Sequence, residues 1–432
     1  MLSLGQCDRV LRVDKRARTV TVEAGARVQQ VVDALAPYNL TLQNYASINE
    51  QQLGGFFQAP QVGAHGTGAA IPPVDEQVVT MKLVTPNLGT IELSNKQNPW
   101  LFRMAKVGLG ALGVVTEVTI KCVERHQLVE NTSVMTRAEV KANHQSLLQN
   151  NKHVRYMWIP YTDAVVVVRC NPVDFHDKLL RRQTQCESAP ACVVRRYKRL
   201  GLSELNPPVG PKQRLQPLKS LLLDKIGSKM SVAAREDLDS LDFGGFRDKL
   251  LAQGPLDVSW VKKACARVNA AEAEFWRRSQ GNRVDFSDII LGFECGGQQW
   301  VNEVSFPVGT LENPNGKDLE YMAELMTLIE TAGVPAPAPI EQRWTASSSA
   351  SMSPAHDKNS PETLFSWVGV IMYLPADDKD ARKRVTDAFL SYRDLCKAKL
   401  WDRYGCVVHW AKLEKPRSEE EAEDARARLQ RR

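Results

Sequence analysis

Between Gln61 and Gln77 the chain reads QVGAHGTGAAIPPVDEQ, with three glycines, a histidine and a threonine inside Gly63 to Gly68. So many glycines in so few positions commit the backbone to a tight path. Glycine reaches φ > 0 without strain and lets another group approach the main chain closely. Successive N–H groups in such a turn form a concavity that binds anions, and His65 and Thr67 add side-chain donors to it. The segment has the makings of a loop that cradles the phosphates of a nucleotide cofactor. Taken alone it reads more readily as a tight surface turn.

At 432 residues the chain is long enough for two domains. A net charge of +6 is mild, and lysine and arginine are spread along the sequence. The densest basic run, RRYKRL at 195–200, lacks interleaved aromatics in a stacking array, which argues against nucleic acid as a partner. The nine cysteines are odd in number and irregular in spacing, with no CxxC pair. They signal neither a disulfide framework nor a metal site. No apolar run approaches the ~20 residues of a membrane span. The N-terminus has no sustained apolar core of the signal-peptide kind and enters almost at once into a strand pair.

The periodicities then divide the chain. Residues 9–25 alternate as a hairpin, 26–39 have helical spacing ending near Asn39, and 40–60 read as irregular and glycine-bearing. A strand pair follows at 75–94, a helix at 98–107 and an alternating strand at 113–125. These define a first α+β unit over 1–125. The remainder, 126–432, forms a second unit with a helix around 137–150, a poorly patterned segment at 171–245, and helices at 261–280, 317–333, 377–400 and the C-terminus. GLGALG, Gly108 to Gly113, matches the dinucleotide fingerprint letter for letter but has a helix before it and a strand after it, the reverse of what the fingerprint needs. Its glycines are read instead as places where backbone approaches a flat ligand.

Three stretches in the second unit carry candidate chemistry. In APAPIEQRWTA, Glu341 and Arg343 are two apart, so on a strand they share a face. A carboxylate and a guanidinium there could orient a polyol and stabilise developing negative charge, or form an ordinary ion pair. In VVHWAKLE, His409, Trp410 and Lys412 could border a cofactor, or belong to a core strand. In GFECGGQQW, Cys295 lies beside two glycines, near a ligand or simply packed. No HExxH, GxSxG or Walker loop is present, so hydrolase and phosphoryl-transfer readings lack support.

In order along the chain, EQQLGG, VGAHGTG, PPVDEQVVTMKLVTP and GLGALGVVTEVTI resemble the FAD-binding domain of the vanillyl-alcohol-oxidase (PCMH-type) flavoproteins. FECGGQQW, PIEQRWTA, FSWVGVIMYLP and HWAK resemble the substrate, or cap, domain of the aldonolactone oxidoreductases. The resemblance covers nearly the whole chain and is weak only over 171–245. It implies an α+β fold of two domains with FAD, held without a covalent link, between them.

By the same resemblance, Ala46, Ser47, Gly54, Gly55, Gly63, His65, Gly66, Thr67, Gly68, Gly108, Gly110, Gly113 and Val115 would contact FAD, with His409, Trp410 and Lys412 bordering flavin and substrate. Glu341 and Arg343 would be the active-site pair, and Cys295 a redox-sensitive thiol. The implied reaction is oxidation of L-galactono-1,4-lactone to L-ascorbate. Its electrons would go to cytochrome c on the intermembrane-space side of the mitochondrial inner membrane, with respiratory complex I assembly intermediates as further partners. Ala46 stands where oxygen-using relatives carry a glycine, which implies slow reaction with oxygen. An oxygen-using aldonolactone oxidase and a non-catalytic assembly protein that keeps the fold are the alternatives. The chain begins after the glycine loop that opens the family's FAD domain and stops before its last segment. It also has a few more residues between Gly55 and Val62 than the family pattern. The missing loop leads to an expectation of weakened FAD binding.

Overall fold

The computed structural model describes residues 3–46, 48, 50–59, 68–173, 210–231, 235, 237–253, 266–292, 298–374, 378–412 and 416–430. Two antiparallel sheets organise them. The first is built from β1 (Val10–Asp14), β2 (Thr19–Glu23), β3 (Leu40–Leu42), β4 (Val78–Thr85), β5 (Gly89–Ser94) and β6 (Val114–Glu124), in the order β1-β2-β6-β4-β5 with β3 also on β6. Helices α1 (Val28–Leu35), α2 (Leu53–Gln58) and α3 (Pro99–Lys106) accompany it. The hairpin, helix and strand expectations over this region hold. Helix α1 buries Val28, Val31, Val32 and Leu35, one face of a 3.6-residue repeat, and Asn39 ends the following 3-10 turn with φ 56°. The stretch 40–60 is more ordered than expected, since it contains β3 and α2. Both are too short for periodicity to reveal.

The second sheet has eight strands: β7 (Gln127–Thr136), β8 (His153–Trp158), β9 (Ala164–Pro172), β10 (Gly281–Phe286), β11 (Gln299–Pro307), β12 (Ile340–Ala346), β13 (Leu364–Tyr373) and β14 (Val407–Val408). Their order is β10-β7-β9-β8-β12-β13-β11-β14. Alternation along these strands gives the sheet two different faces. The back packs Tyr156, Trp158, Trp344, Phe306 and Val368 against helices Arg137–Gln149, Lys317–Ala332 and Lys379–Cys396. On the front, Leu128, Val166, Val168 and Cys170 join one apolar cluster with Ala46, Leu53 and Phe56 of the first sheet's surroundings. The two sheets therefore share a core.

Within the segment 171–245, read as unpatterned, the structure has helix Pro211–Ile226, and helix Phe243–Ala252 starts at its end. Pro217 lies inside the first of them. An internal proline removes a helical hydrogen bond and argues against a helix from sequence. A small apolar cluster of Leu218, Leu222, Phe246, Leu250 and Val268 holds these helices on helix Ala266–Arg278.

Candidate active site

Strand β12 carries the Glu341–Arg343 pair, and its neighbours explain why the pair sits where it does. The residue between them, Gln342, points to the back and is fully buried. Its Oε1 accepts from Trp158 Nε1 at 2.9 Å, and its Nε2 donates to the Asp318 carbonyl at 3.2 Å and to Ser366 Oγ at 3.1 Å. Asp318 in turn accepts from Trp344 Nε1 at 2.9 Å and pairs with His144 Nε2 at 2.7 Å. Burial raises the Asp318 carboxyl, but these partners outweigh it and hold the group below its ordinary value. A one-residue slip of β12 would break this network and turn Glu341 and Arg343 inward, so the back of the strand fixes what the front presents.

On the front, one cross-strand row runs Glu303 (β11), Gly369 (β13), Glu341 (β12), and the next runs Ser305, Trp367, Arg343, Arg155 (β8). Arg343 is buried and reaches across β13 to hydrogen-bond Glu303 Oε1 through Nη2. Gly369 leaves that path open: a Cβ there would lie 4.0 Å from Glu303, and any larger side chain would enter the route. Glu341 is partly exposed, with Arg155 Nη1 and Arg343 Nε each 3.6 Å from its oxygens.

Lys412 completes the cluster. The HWAK segment is not a long strand: β14 is two residues, and Trp410–Lys412 form a 3-10 turn. That turn brings Lys412 Nζ onto Glu303 Oε2, and His409 N donates to the Glu303 carbonyl at 2.9 Å. Glu303 is 1% exposed. Burial would raise its carboxyl, yet Arg343, Lys412 and His409 together hold it far below the ordinary carboxylate range. His409 is pushed down to about 3, by burial first and then by Lys412, so its ring is neutral. Its Nδ1 accepts from Ala411 N at 3.2 Å, which places the single ring proton on Nε2. Trp410 Nε1 donates to the Met352 carbonyl at 2.6 Å, tying the turn to the loop after β12.

The glycines of the first unit separate by what surrounds them. A Cβ on Gly68 would stand 1.8 Å from the Lys152 carbonyl oxygen, and one on Gly113, at φ 145°, 2.3 Å from that of Val84. Close protein packing already requires glycine at both. Val115, two residues on, is buried in β6 opposite Leu83. Gly54 is nearly as tight, 3.1 Å from the Ala24 carbonyl oxygen, and Gly108 stands 3.3 Å from that of Ala105. Gly55 and Gly110 face open space instead, Gly110 with φ 75°. Gln58 of α2 links these pieces, accepting from Gly110 N at 3.4 Å and donating to the Ala105 carbonyl. Ala46 is fully buried. Ser47, Gly63, His65, Gly66, Thr67 and Cys295 lie outside the described residues.

The first unit also fits FAD. Asn44 Oδ1 and Gln51 Oε1 are buried acceptors with no partner among the described residues. Both lie in the segment that leads into Gly55. FAD brings ring N–H and ribityl O–H donors of the kind such acceptors need. The first and second units meet nearby: Ala346 N, at the end of β12, donates to the Ile71 carbonyl at 3.0 Å, and Ser348 and Ser349 bond Asp75 and Glu76. Lys106 joins this seam at 2.6 Å from Glu76. The C-terminal end of β12 and the loop after it therefore meet the segment 71–76 and the end of α3.

Sequence reasoning missed Glu303 and Gly369. A signal for Glu303 was present: in WVNEVSFPV it is the one charged residue of the strand, and a buried charge requires a partner. Gly369 gave none, because its role depends on what lies across two neighbouring strands.

Comparison with known proteins places the chain in a family. A profile for the FAD binding domain matches residues 1–94, and one for D-arabinono-1,4-lactone oxidase matches 118–199 and 247–420. The chain is 51% identical to the mitochondrial L-galactono-1,4-lactone dehydrogenase of Arabidopsis thaliana, over all of this chain and 67% of the relative. It is 49% identical to dehydrogenase 1 of the same name from Oryza sativa subsp. japonica, over all of this chain and 69% of the relative. L-gulonolactone oxidase of Bos taurus is 34% identical over 39% of this chain and 38% of its own length. Among solved structures, cholesterol oxidase from B. sterolicum has the same fold, with a TM-score of 0.60 at 12% identity, covering 94% of this chain and 72% of that one. No helix among the described residues is long and apolar enough to cross a membrane. The chain belongs to the D-arabinono-1,4-lactone oxidase family of FAD-dependent oxidoreductases, among relatives that include the plant L-galactono-1,4-lactone dehydrogenases.

Proposed function

We propose that this protein oxidises L-galactono-1,4-lactone to L-ascorbate in the mitochondrion and passes the electrons to cytochrome c. The observation that carries the reading is the front of β12. There Glu341 and Arg343 stand side by side beside the buried Glu303, in a chain about half identical to dehydrogenases named for that lactone. In this reading residues 1–125 hold FAD and 126–432 hold the substrate. The change of sheet between Glu124 and Gln127 supports that division.

When bound, FAD supplies the acceptor for the hydride that the lactone loses. Arg343 is buried and fixed, so its charge acts at low dielectric and needs no reorganisation as negative charge grows on the lactone oxygens. Glu341 is exposed enough to accept hydrogen bonds from substrate hydroxyls, and Arg155 and Arg343 set its orientation. Neutral His409 offers Nε2–H as a donor without adding a charge. Ala46 fills the space beside the glycine-bearing segment and keeps oxygen from the reactive edge. In the first unit, Gly55 and Gly110 leave room for the cofactor, with Gly63, His65, Gly66 and Thr67 as its phosphate loop and Ser47 as a further contact.

Purified protein supplied with FAD tests this reading. L-galactono-1,4-lactone should bleach the flavin absorbance and drive cytochrome c reduction with little peroxide. Peroxide formation without cytochrome c reduction would make the protein an oxidase. Absence of any flavin spectrum would favour a scaffold.

A further inference from the structure

Glu303 is a deeply buried charge on the front of the eight-stranded sheet, and it touches three residues of the candidate site. One carboxylate oxygen accepts from Arg343 and the other from Lys412. Its own carbonyl accepts from His409 N at 2.9 Å. These three residues come from different places. Arg343 is on β12, while His409 and Lys412 follow a two-residue strand and are held by a single 3-10 turn. A long lysine side chain on so short an element loses substantial rotamer freedom when fixed, and the turn alone does not supply a partner for its ammonium.

We propose that Glu303 is the positioning residue of this site: a single β11 carboxylate that separates and aims the cations of Arg343 and Lys412, while its carbonyl anchors His409. The proposal rests on the lactone-oxidising reading given above. It adds an electrostatic role to the geometric one. Across Glu303, Arg343 and Lys412 the net charge is +1, and removing the carboxylate makes it +2 at a place shielded from solvent. Positive charge near a flavin favours the electron-rich reduced form. Glu303→Gln is therefore expected to raise the flavin's reduction potential while lowering turnover, because the cations gain field but lose aim. A residue that merely supported the fold would lower turnover without raising the potential.

The test uses the holoenzyme and four proteins: wild type, Glu303→Gln, Glu303→Asp and Glu303→Gln/Lys412→Met. Flavin content and thermal unfolding are measured first, then midpoint potential, kcat and KM for L-galactono-1,4-lactone. In Glu303→Gln, kcat should fall at least a hundredfold and the potential should rise. Glu303→Asp keeps the charge but shortens the reach, so its potential should stay at the wild-type value while kcat recovers part of the loss. The double variant restores the net charge of +1. Its potential should return to the wild-type value with kcat still low, and it remains informative if Glu303→Gln alone does not fold. A kcat within threefold of wild type in Glu303→Gln would overturn the proposal, as would a fall in kcat with the potential unchanged or lowered. If Glu303→Gln does not fold, a double variant whose potential departs from wild type overturns it. A wild-type protein that holds FAD but is not reduced by the lactone would instead defeat the functional reading, and the potentials would still decide the charge role of Glu303.

Discussion

The two faces of β12 treat buried polar groups in opposite ways. On the back, Gln342, Asp318, His144, Trp158, Trp344, Tyr156 and Ser366 form one hydrogen-bonded network in an apolar layer, in which the Asp318 carboxylate pairs with His144, Trp344 and Leu319 N and its carbonyl accepts from Gln342. On the front, two carboxylates, Glu303 and Glu341, face three cations, Arg155, Arg343 and Lys412, and the charges do not cancel. A satisfied network specifies register, whereas a residual positive field is suited to stabilising charge that appears only during a reaction. Alternation along a single strand thus assigns positioning to one face and chemistry to the other.

Substitutions on either face should separate these roles. Arg343→Lys keeps the charge but loses the planar fork that spans to Glu303. Turnover and kcat/KM for the lactone should both fall by about a hundredfold, with only a small change in melting temperature. Asp318→Asn should do the reverse, costing about 2–4 kcal/mol of stability by removing a buried charged acceptor, while the folded enzyme keeps turnover within a few-fold. Steady-state kinetics and denaturant unfolding on both variants would break the comparison if Asp318→Asn lost turnover without losing stability.

The glycines offer the same contrast in the first unit. Gly113→Ala should destabilise by more than about 2 kcal/mol, since its Cβ would meet the Val84 carbonyl at 2.3 Å and φ is 145°. Gly55→Ala has open space around it, so it should leave stability unchanged and weaken FAD binding about tenfold, close to 1.4 kcal/mol. Fluorescence titration with FAD decides the second case, and unchanged affinity would remove Gly55 from the cofactor site. Ala46→Gly should speed reoxidation of the reduced flavin by air about tenfold, or roughly 1.4 kcal/mol of barrier, leaving cytochrome c reduction within a few-fold. Equal rates in air would show that Ala46 only fills space.

The smallest effects concern pH, and again two buried groups oppose each other. His409 is held at about 3 in the fold, against an ordinary value near ~6.5. As pH falls through that window the unfolded chain takes up the proton first. The stability from its neutral ring is complete above ~6.5 and drains as pH drops. Asp75, at the seam between the units, is pushed up to about 6 by burial and by Glu76. Here the folded protein keeps its proton longer, so stability declines as pH rises from about 4 to 6 and then levels off. Asp75→Asn should be more stable than wild type by on the order of 1 kcal/mol at pH ~7.5, and no different near pH ~4. Thermal melts at the two pH values check this, and a variant destabilised at the higher pH would mean that the charged form of Asp75 is needed at the seam.

Much of the fold was legible because long elements repeat their periodicity: the hairpin at 9–25, α1, the strand at 113–125 and the helix at 137–150 all lie where alternation or helical spacing puts them. Short or interrupted elements were not, as β3, α2 and the proline-bearing helix Pro211–Ile226 show. The site divides along the same line. Glu341 and Arg343 announced themselves by a two-residue spacing on one strand, and His409 and Lys412 by their density. Glu303 and Gly369 act across β11, β13 and β12, and the pairing of those strands is a property of the sheet order that no local pattern encodes. The glycines teach a related lesson: protein packing alone already requires glycine at Gly68 and Gly113, because backbone occupies the space where a side chain would go, and the sequence does not reveal that neighbour.

In the proposed function the front of β12 drives oxidation of a sugar lactone by bound FAD. Anaerobic stopped-flow mixing of the FAD-loaded protein with L-galactono-1,4-lactone tests it most directly, with Arg343→Lys run alongside. Bleaching of the flavin should be rapid and saturable in the wild type and about a hundredfold slower in Arg343→Lys at equal FAD content. An unbleached wild type, or a variant bleached at the wild-type rate, would contradict it.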